Sequence, residues 1–357
     1  MASSELDFAS VQAEIQDRYQ SGDYAAALEL AERHKTRFQD QEALFTYWQI
    51  CFNARLGVLD RSIRLLRDAL KSGLWYAEVL LRKSPSLQPL QGMPEFEDLV
   101  LLNRQVQNKD ETHHYPVLIL RSEEQCSQGG PACPLLLGLH RNAGTVRSSL
   151  KYWRPAANAG WLVAAPQSRQ AVWKDSYVWD DLEASREEIL QHYQAVLNGY
   201  RIDPRRTVIA GHSMGGEVAI WLALSGAIPA AGFLAFGPGG PMMDNPDQWL
   251  PFIESATGRP AAGHPAVNQP ASRRPASPQP GINPAGSSDM PLRGYLVYGT
   301  EDHSIQQQNI HSLANALESA GLHCLVEPVP GAGHDFEPKF EAALLRGLAF
   351  ISPKENN

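Results

Sequence analysis

Thr207-Val-Ile-Ala-Gly-His-Ser-Met-Gly-Gly-Glu-Val-Ala-Ile-Trp-Leu-Ala-Leu224 is an apolar run, a Gly-x-Ser-x-Gly and a second apolar run in direct succession. The first four residues predict a short buried strand, and Glu217 to Leu224 predict a largely buried helix. A sharp turn must lie between them. Gly211 and Gly215 stand where side chains would collide, and Gly216 lets helix and strand approach closely. Ser213, at the tip of that turn, is the candidate nucleophile. The five-residue motif alone is a weak signal, because glycine makes up about 7% of residues in ordinary proteins. Its flanks carry the reading.

Outward from this stretch, from His113 onward, apolar runs alternate with helical stripes. Strands are expected at Tyr115–Leu120, Leu135–Leu139, Trp161–Ala165, Thr207–Ala210, Gly232–Phe236, Arg293–Tyr298 and Cys324–Val329. Helical spacing links Leu182, Ile189, Tyr193 and Val196, then Ile310, Leu313, Ala314 and Leu317, and last Phe340, Leu344, Leu348 and Ile351. The fold class is therefore α/β, a mostly parallel sheet with helices on both faces. Gly258 to about Asp289 interrupts it with seven prolines among Ala, Ser and Gly, and is expected to be a disordered insertion of about thirty residues.

The first 110 residues differ in texture and are expected to form a separate small all-α domain, with 111–357 as the second domain. Phe8, Val11, Ile15 and Tyr19 fall at helical spacing, as do Tyr24, Ala27, Leu28 and Ala31. A second pair of stripes runs through Ala43, Leu44, Tyr47 and Ile50, then Ile63, Leu66 and Ala69. Gly22 and Gly57 lie at equivalent turns 35 residues apart, close to the roughly 34-residue period of tetratricopeptide helix pairs. The segment resembles a short tetratricopeptide-like array. Either it binds a protein partner or a second subunit, or it only packs on the domain that follows.

Composition narrows the function. With 357 residues, 43% hydrophobic and 20% charged, the chain can bury a large core, and its net charge of −8 disfavours nucleic acid or an anionic membrane as the main partner. No apolar run approaches the roughly 18 residues of a membrane span, and the start of the sequence does not read as a secretory leader. A cytoplasmic location is the expectation. Cys51, Cys126, Cys133 and Cys324 show no metal-ligand spacing and are expected to be free thiols. Neither Gly-x-Gly-x-x-Gly nor a P-loop is present, so neither a cofactor nor a metal is expected.

A serine hydroxyl attacks well only if a base takes its proton, and that base needs an acid to orient it. Asp302 in Tyr298-Gly-Thr-Glu-Asp-His303 and His334 in Pro330-Gly-Ala-Gly-His-Asp-Phe336 supply both, each in a loop after a strand. Glu301 is the alternative acid; His212, His303, His311 and His323 are the alternative histidines. Two backbone amides must also face the developing oxyanion, each worth about 3–4 kcal/mol. The Met214 amide is one candidate. The other is Asn142, in Leu139-His-Arg-Asn-Ala-Gly144.

Taken with Ala165-Pro-Gln-Ser168, Trp179-Asp-Asp181 and Ile202-Asp-Pro204, these motifs make residues 113–352 resemble an α/β-hydrolase of the phospholipase/carboxylesterase, esterase-D-like group. The resemblance implies metal-free hydrolysis of small-molecule carboxylic esters through an acyl-serine, with the order Ser213, Asp302, His334. One departure stands out: Arg141 occupies the position of the group's first oxyanion-loop glycine. If that position has positive φ, arginine is strained by about 1 kcal/mol or more. Tyr152, Trp153, Trp173, Tyr177 and Trp179 either line a pocket or pack the domain. Two other functions compete, namely an acyl-peptide or amide hydrolase and a non-catalytic interaction protein built on the helical repeats.

Overall fold

The computed structural model describes residues 8–110, 116–121, 126, 130–258, 292–336 and 338–353. The proline-rich insertion expected from residue 258 to about 289 lies outside them apart from Gly258, which ends a helix in the left-handed region at φ 65.

Contacts divide the chain into two units. In the first, six helices run α1 (Phe8–Gln20), α2 (Tyr24–His34), α3 (Glu42–Arg55), α4 (Leu59–Lys71), α5 (Glu78–Lys83) and α6 (Pro94–Lys109). Their stripes meet in a core of Val11, Ile15, Ala27, Phe45, Ile50, Leu66 and Phe96, among others. The equivalence of Gly22 and Gly57 has a local cause. Both take φ near 80, and both close the same double-bonded helix end: Asp23 N to Arg18 O with Gly22 N to Tyr19 O, and Val58 N to Asn53 O with Gly57 N to Ala54 O. An L side chain there would be strained, which selects glycine.

Ala171–Ser176 also belongs to this unit. Ala77 N donates to Val172 O at 2.7 Å, Lys174 N donates to Trp75 O at 3.1 Å, and Trp173 stacks on Tyr47 at 6.5 Å between centroids. Trp173 therefore packs with the helices.

The second unit is a seven-stranded sheet built from β1 (Val117–Leu120), β2 (Cys133–Leu139), β3 (Leu162–Pro166), β6 (Ile202–His212), β7 (Gly232–Phe236), β8 (Arg293–Gly299) and β9 (His323–Val329), in the order β1-β3-β2-β6-β7-β8-β9. Only β1 runs antiparallel to its neighbour; the other pairs are parallel. The two short strands β4 (Gln170–Trp173) and β5 (Ser176–Val178) pair separately. The helices are α7 (Val146–Asn158), α8 (Leu182–Gly199), α9 (Met214–Leu224), α10 (Pro241–Asp244), α11 (Leu250–Thr257), α12 (Gln307–Ser319) and α13 (Phe340–Ile351).

Side-chain alternation splits the core between the two faces. Leu135, Leu137, Leu139 and Ile209 enter one cluster, with residues of α8, α9, α11 and α12. Leu136, Val208 and Ala210 enter the other, with residues of α7 and α13. Every residue of β2, β3 and β7 is buried, as expected of strands covered on both sides. Strand order reverses between β2, followed in space by β3, and β6, followed by β7. Such a switch point opens a crevice at the carboxyl ends of the strands.

One expectation is corrected here. Cys126 and Cys133 form a disulfide across seven positions, and only Cys51 and Cys324 are free, both buried. Spacing gave no sign of it. The free-thiol expectation assumed a reducing compartment, where such bonds are rare. No helix among the described residues is long and apolar enough to cross a membrane.

Candidate active site

Ser213 stands at the switch point, between the end of β6 and the start of α9. Its backbone takes φ 56 and ψ −123, a conformation that costs a non-glycine residue about 1–3 kcal/mol and persists only where the surroundings enforce it. The enforcement is visible. Ser213 N donates to Phe236 O at 2.8 Å, and its own carbonyl accepts from Gly216 N and Glu217 N, the first bonds of α9. A Cβ on Gly211 would come within 2.0 Å of Gly215 O, and one on Gly215 within 2.4 Å of His140 O. Only glycine permits this turn, as the sequence implied. The Met214 amide precedes those first helical bonds at the positive end of the helix dipole, a suitable donor to an anion.

Asp302 and His334 meet directly. His334 Nδ1 lies 2.6 Å from Asp302 Oδ2, and Asp302 is 2% exposed. Burial alone would raise the Asp302 carboxyl, but His334 and Ser304 outweigh it and hold it below its usual range. Ser304 was missed by sequence reasoning. Its hydroxyl donates to Asp302 Oδ1 at 2.6 Å, its amide donates to the same oxygen at 2.9 Å, and Ser304 Oγ lies 3.1 Å from His334 Nδ1. A serine two positions after an aspartate is the signature of an Asx turn, the one signal that pointed to it. Of the alternatives, His212 lies next to His334, and His323 is exposed on β9. Glu301 and His303 are exposed, and His311 bonds Tyr298.

Ser213 Oγ makes no hydrogen bond to His334 among the described residues. The two are linked through neighbours. His212, just before Ser213, donates from Nε2 to His334 O at 2.8 Å, and the two rings lie 4.8 Å apart. Burial, then the nearby His334 and Arg141, push the His212 pKa far down, so it stays neutral. Catalytic hydrogen bonds commonly tighten only when substrate is bound.

Across the switch point, the loop after β2 is held by His140. Burial lowers its pKa to about 4. The neutral ring fits its partners: Nδ1–H faces Arg141 O at 2.9 Å, and Nε2 accepts from Ser168 N and Gln167 Nε2, both at 3.2 Å. Trp179 Nε1 donates to His140 O at 2.9 Å, and Gln167 Oε1 accepts from Val146 N at 2.8 Å. Thus Trp179, like the fully buried Trp153, braces the fold. Of the aromatic candidates, Tyr152 is half-buried, its ring 5.8 Å from that of His212.

Asn142 lies exposed in the turn closed by Gly144 N donating to Arg141 O at 3.1 Å. Positive φ falls on Ala143, at 55, and not on Arg141. The strain foreseen at Arg141 is absent because the turn moves the left-handed residue two positions on. The Arg141 side chain pairs with Asp335.

Comparison with known proteins agrees with this architecture. Residues 148–342 match the model of the alpha/beta hydrolase family, and residues 10–111 match that of an A/B hydrolase-like N-terminal domain. No curated protein matches the sequence. Among solved structures, an uncharacterized protein from Bacillus cereus is 20% identical with a TM-score of 0.48, covering 97% of this chain and 99% of its own. A propionate-bound esterase of Thermogutta terrifontis is 15% identical with a TM-score of 0.42, covering 66% and 86%. A fluorophosphonate-binding serine hydrolase of Staphylococcus aureus is 14% identical with a TM-score of 0.44, covering 66% and 91%. Likenesses this distant carry no argument about chemistry. The family match, spanning more than half of the sequence, does establish membership: the chain belongs to the alpha/beta hydrolase family.

Proposed function

We propose that the protein is a serine hydrolase that cleaves small-molecule carboxylic esters through an acyl-serine intermediate. In this reading His334 takes the proton of Ser213 Oγ, and the hydroxyl oxygen attacks the ester carbonyl. Asp302 fixes the imidazole with Nδ1–H toward itself and stabilises the imidazolium. The Met214 and Asn142 amides hold the oxyanion. His334 then protonates the leaving alcohol, and a water activated by the same histidine releases the acid. Neither metal nor cofactor takes part in these steps.

The observation that carries the reading is Ser213 itself, held at φ 56 at the positive end of α9, where the preceding His212 bonds the backbone of a histidine paired with a buried aspartate. Ser213→Ala is expected to abolish ester turnover while leaving the fold intact. Full turnover by a folded variant would refute it.

The interaction-protein reading depended on an oxyanion loop distorted by Arg141. Arg141 lies outside the left-handed region, which removes the backbone strain from that argument; lack of fluorophosphonate labelling in a folded sample would favour the interaction reading. Ester against amide preference would be decided by turnover of matched substrates.

A further inference from the structure

Glu217 is a buried acid for which the proposed chemistry has no use. It is 2% exposed, lies one helical turn beyond Ser213 on α9, and has no ion-pair partner among the described residues. Burying a carboxyl is costly, and an apolar side chain of similar volume would fill the place without that cost. Its contacts therefore indicate its use.

Those contacts all go to the segment after β7. Glu217 Oε2 accepts from Met243 N at 2.8 Å, and the carboxyl also accepts from Met242 N. It occupies the space a Cβ on Gly240 would need, 2.5 Å from Oε1, and Gly240 sits at φ 151. The same segment reaches the reacting groups at its other end. Gly239 N donates to Ser213 O at 3.3 Å. A Cβ on Gly237 would lie 3.2 Å from His334 Nδ1 and 3.3 Å from Asp302 Oδ2. Residues 237–240 thus run from the His334–Asp302 pair to Glu217 and touch the backbone of Ser213 on the way.

We propose that Glu217 is a positioning residue that clasps the segment after β7 to the nucleophile helix and so sets where the His334–Asp302 pair stands relative to Ser213. This rests on the serine hydrolase reading above.

A pH signature follows from the same contacts. Burial raises the Glu217 pKa to about 7; the Met242 and Met243 amides oppose the rise, and Asp244, the ionisable group acting on it among the described residues, adds to it. As a carboxylate, Glu217 offers both oxygens to the two amides. Protonation turns one oxygen into a donor facing donors, so the clasp loosens as pH falls through about 7. Stability moves the other way. A pKa raised in the folded state means that the native protein binds more protons, so this contribution is fully present below the ordinary carboxyl range and is lost as pH rises through about 7. A purely structural acid would change only stability.

The test compares Glu217→Gln and Gly240→Ala with the parent protein, the second variant displacing the carboxyl from the loop side. On the acid limb of the kcat profile the parent is expected to fall more steeply than a slope of one near pH 7, because protonation of Glu217 loosens the clasp and adds a partial loss to that of the base. Glu217→Gln should reduce that slope to one and lower kcat about tenfold with KM within about twofold. Both variants should lose hydrogen-exchange protection at Met242 and Met243. Unchanged slope and kcat in variants whose Ser213 still reacts with a fluorophosphonate would overturn the proposal and leave the hydrolase reading standing. Failure of the folded parent to react at Ser213 would overturn the hydrolase reading, and the positioning role with it.

Discussion

Arg141, in the turn after β2, is ion-paired with Asp335, the residue that follows His334. The pair joins the loop proposed to supply an oxyanion donor to the loop that carries His334, the proposed base, across 194 positions of sequence. Both side chains are about half exposed, so the pair is worth at most about 1 kcal/mol. In the proposed mechanism its effect is on the alignment of the two loops.

Arg141→Ala and Asp335→Ala are each expected to lower kcat about two- to fivefold, and the double variant is expected to be no worse than either single one. Raising salt from about 0.05 to 0.5 M should reduce the parent rate toward that of the double variant, whose own rate stays flat. Additive losses in the double variant would show that the two residues act separately.

Ser304 gives Asp302 two of its hydrogen bonds. In Ser304→Ala the carboxylate loses the hydroxyl and concentrates its remaining charge on His334, stabilising the imidazolium. The acid limb of kcat should then move to higher pH, with kcat down about three- to tenfold, and Ser304→Thr should restore both. Because the Asp302 pKa is held below its usual value, its contribution to stability is present above the ordinary carboxyl range and is lost as pH falls through the depressed value. Ser304→Ala, with less of that depression, should be less stable at neutral pH, and its difference from the parent should shrink as pH falls. A pH profile identical to the parent's would remove Ser304 from the site.

Glu188 on α8 is 4% exposed, and its Oε1 has no hydrogen-bond partner among the described residues. Burial raises its pKa to about 7, against a smaller opposing effect from Arg169. The folded state thus holds a proton that the unfolded chain releases, and stability falls as pH rises from about 4.5 to 7. Glu188→Gln lacks that loss. Its thermal midpoint should gain on the parent's as pH rises from 5 to 8, by the equivalent of about 1–3 kcal/mol. A difference between the two midpoints that is independent of pH would contradict this.

Most of the fold was legible because buried strands covered on both faces are written as continuous apolar runs. All seven strands expected in the sheet are present, with ends displaced by at most a few residues, except β6, which begins earlier at Ile202. The pairing of β4 with β5 was not legible. Each is three or four residues long, and Trp173 is held by Tyr47 and Tyr76, contacts remote in sequence. The same limit applies around the site. Gly211, Ser213 and Gly215 announce themselves within five residues because the turn is local. Arg141 with Asp335, and Glu217 with Met243, are pairings that only the folded chain creates. The substitution of arginine for glycine at 141 was readable, but its consequence was not, since the turn shifts its left-handed residue to Ala143. The Cys126–Cys133 bond belongs to the same class of nonlocal facts.

That bond has its own check. Alkylation of the unfolded protein without reductant should modify two cysteines, Cys51 and Cys324, and with reductant all four. Cys133→Ser should cost on the order of 2 kcal/mol, the loop-closure value for a bridge this short. Four reactive thiols without reductant would show that the bridge is absent.

In the proposed mechanism Ser213 is an activated nucleophile. Reaction of the folded protein with a fluorophosphonate, followed by peptide mapping, tests it most directly. One adduct is expected, on Ser213, lost in Ser213→Ala and slowed at least about a hundredfold in His334→Ala. A folded protein that takes up no probe at Ser213, or that reacts equally well without His334, would contradict it.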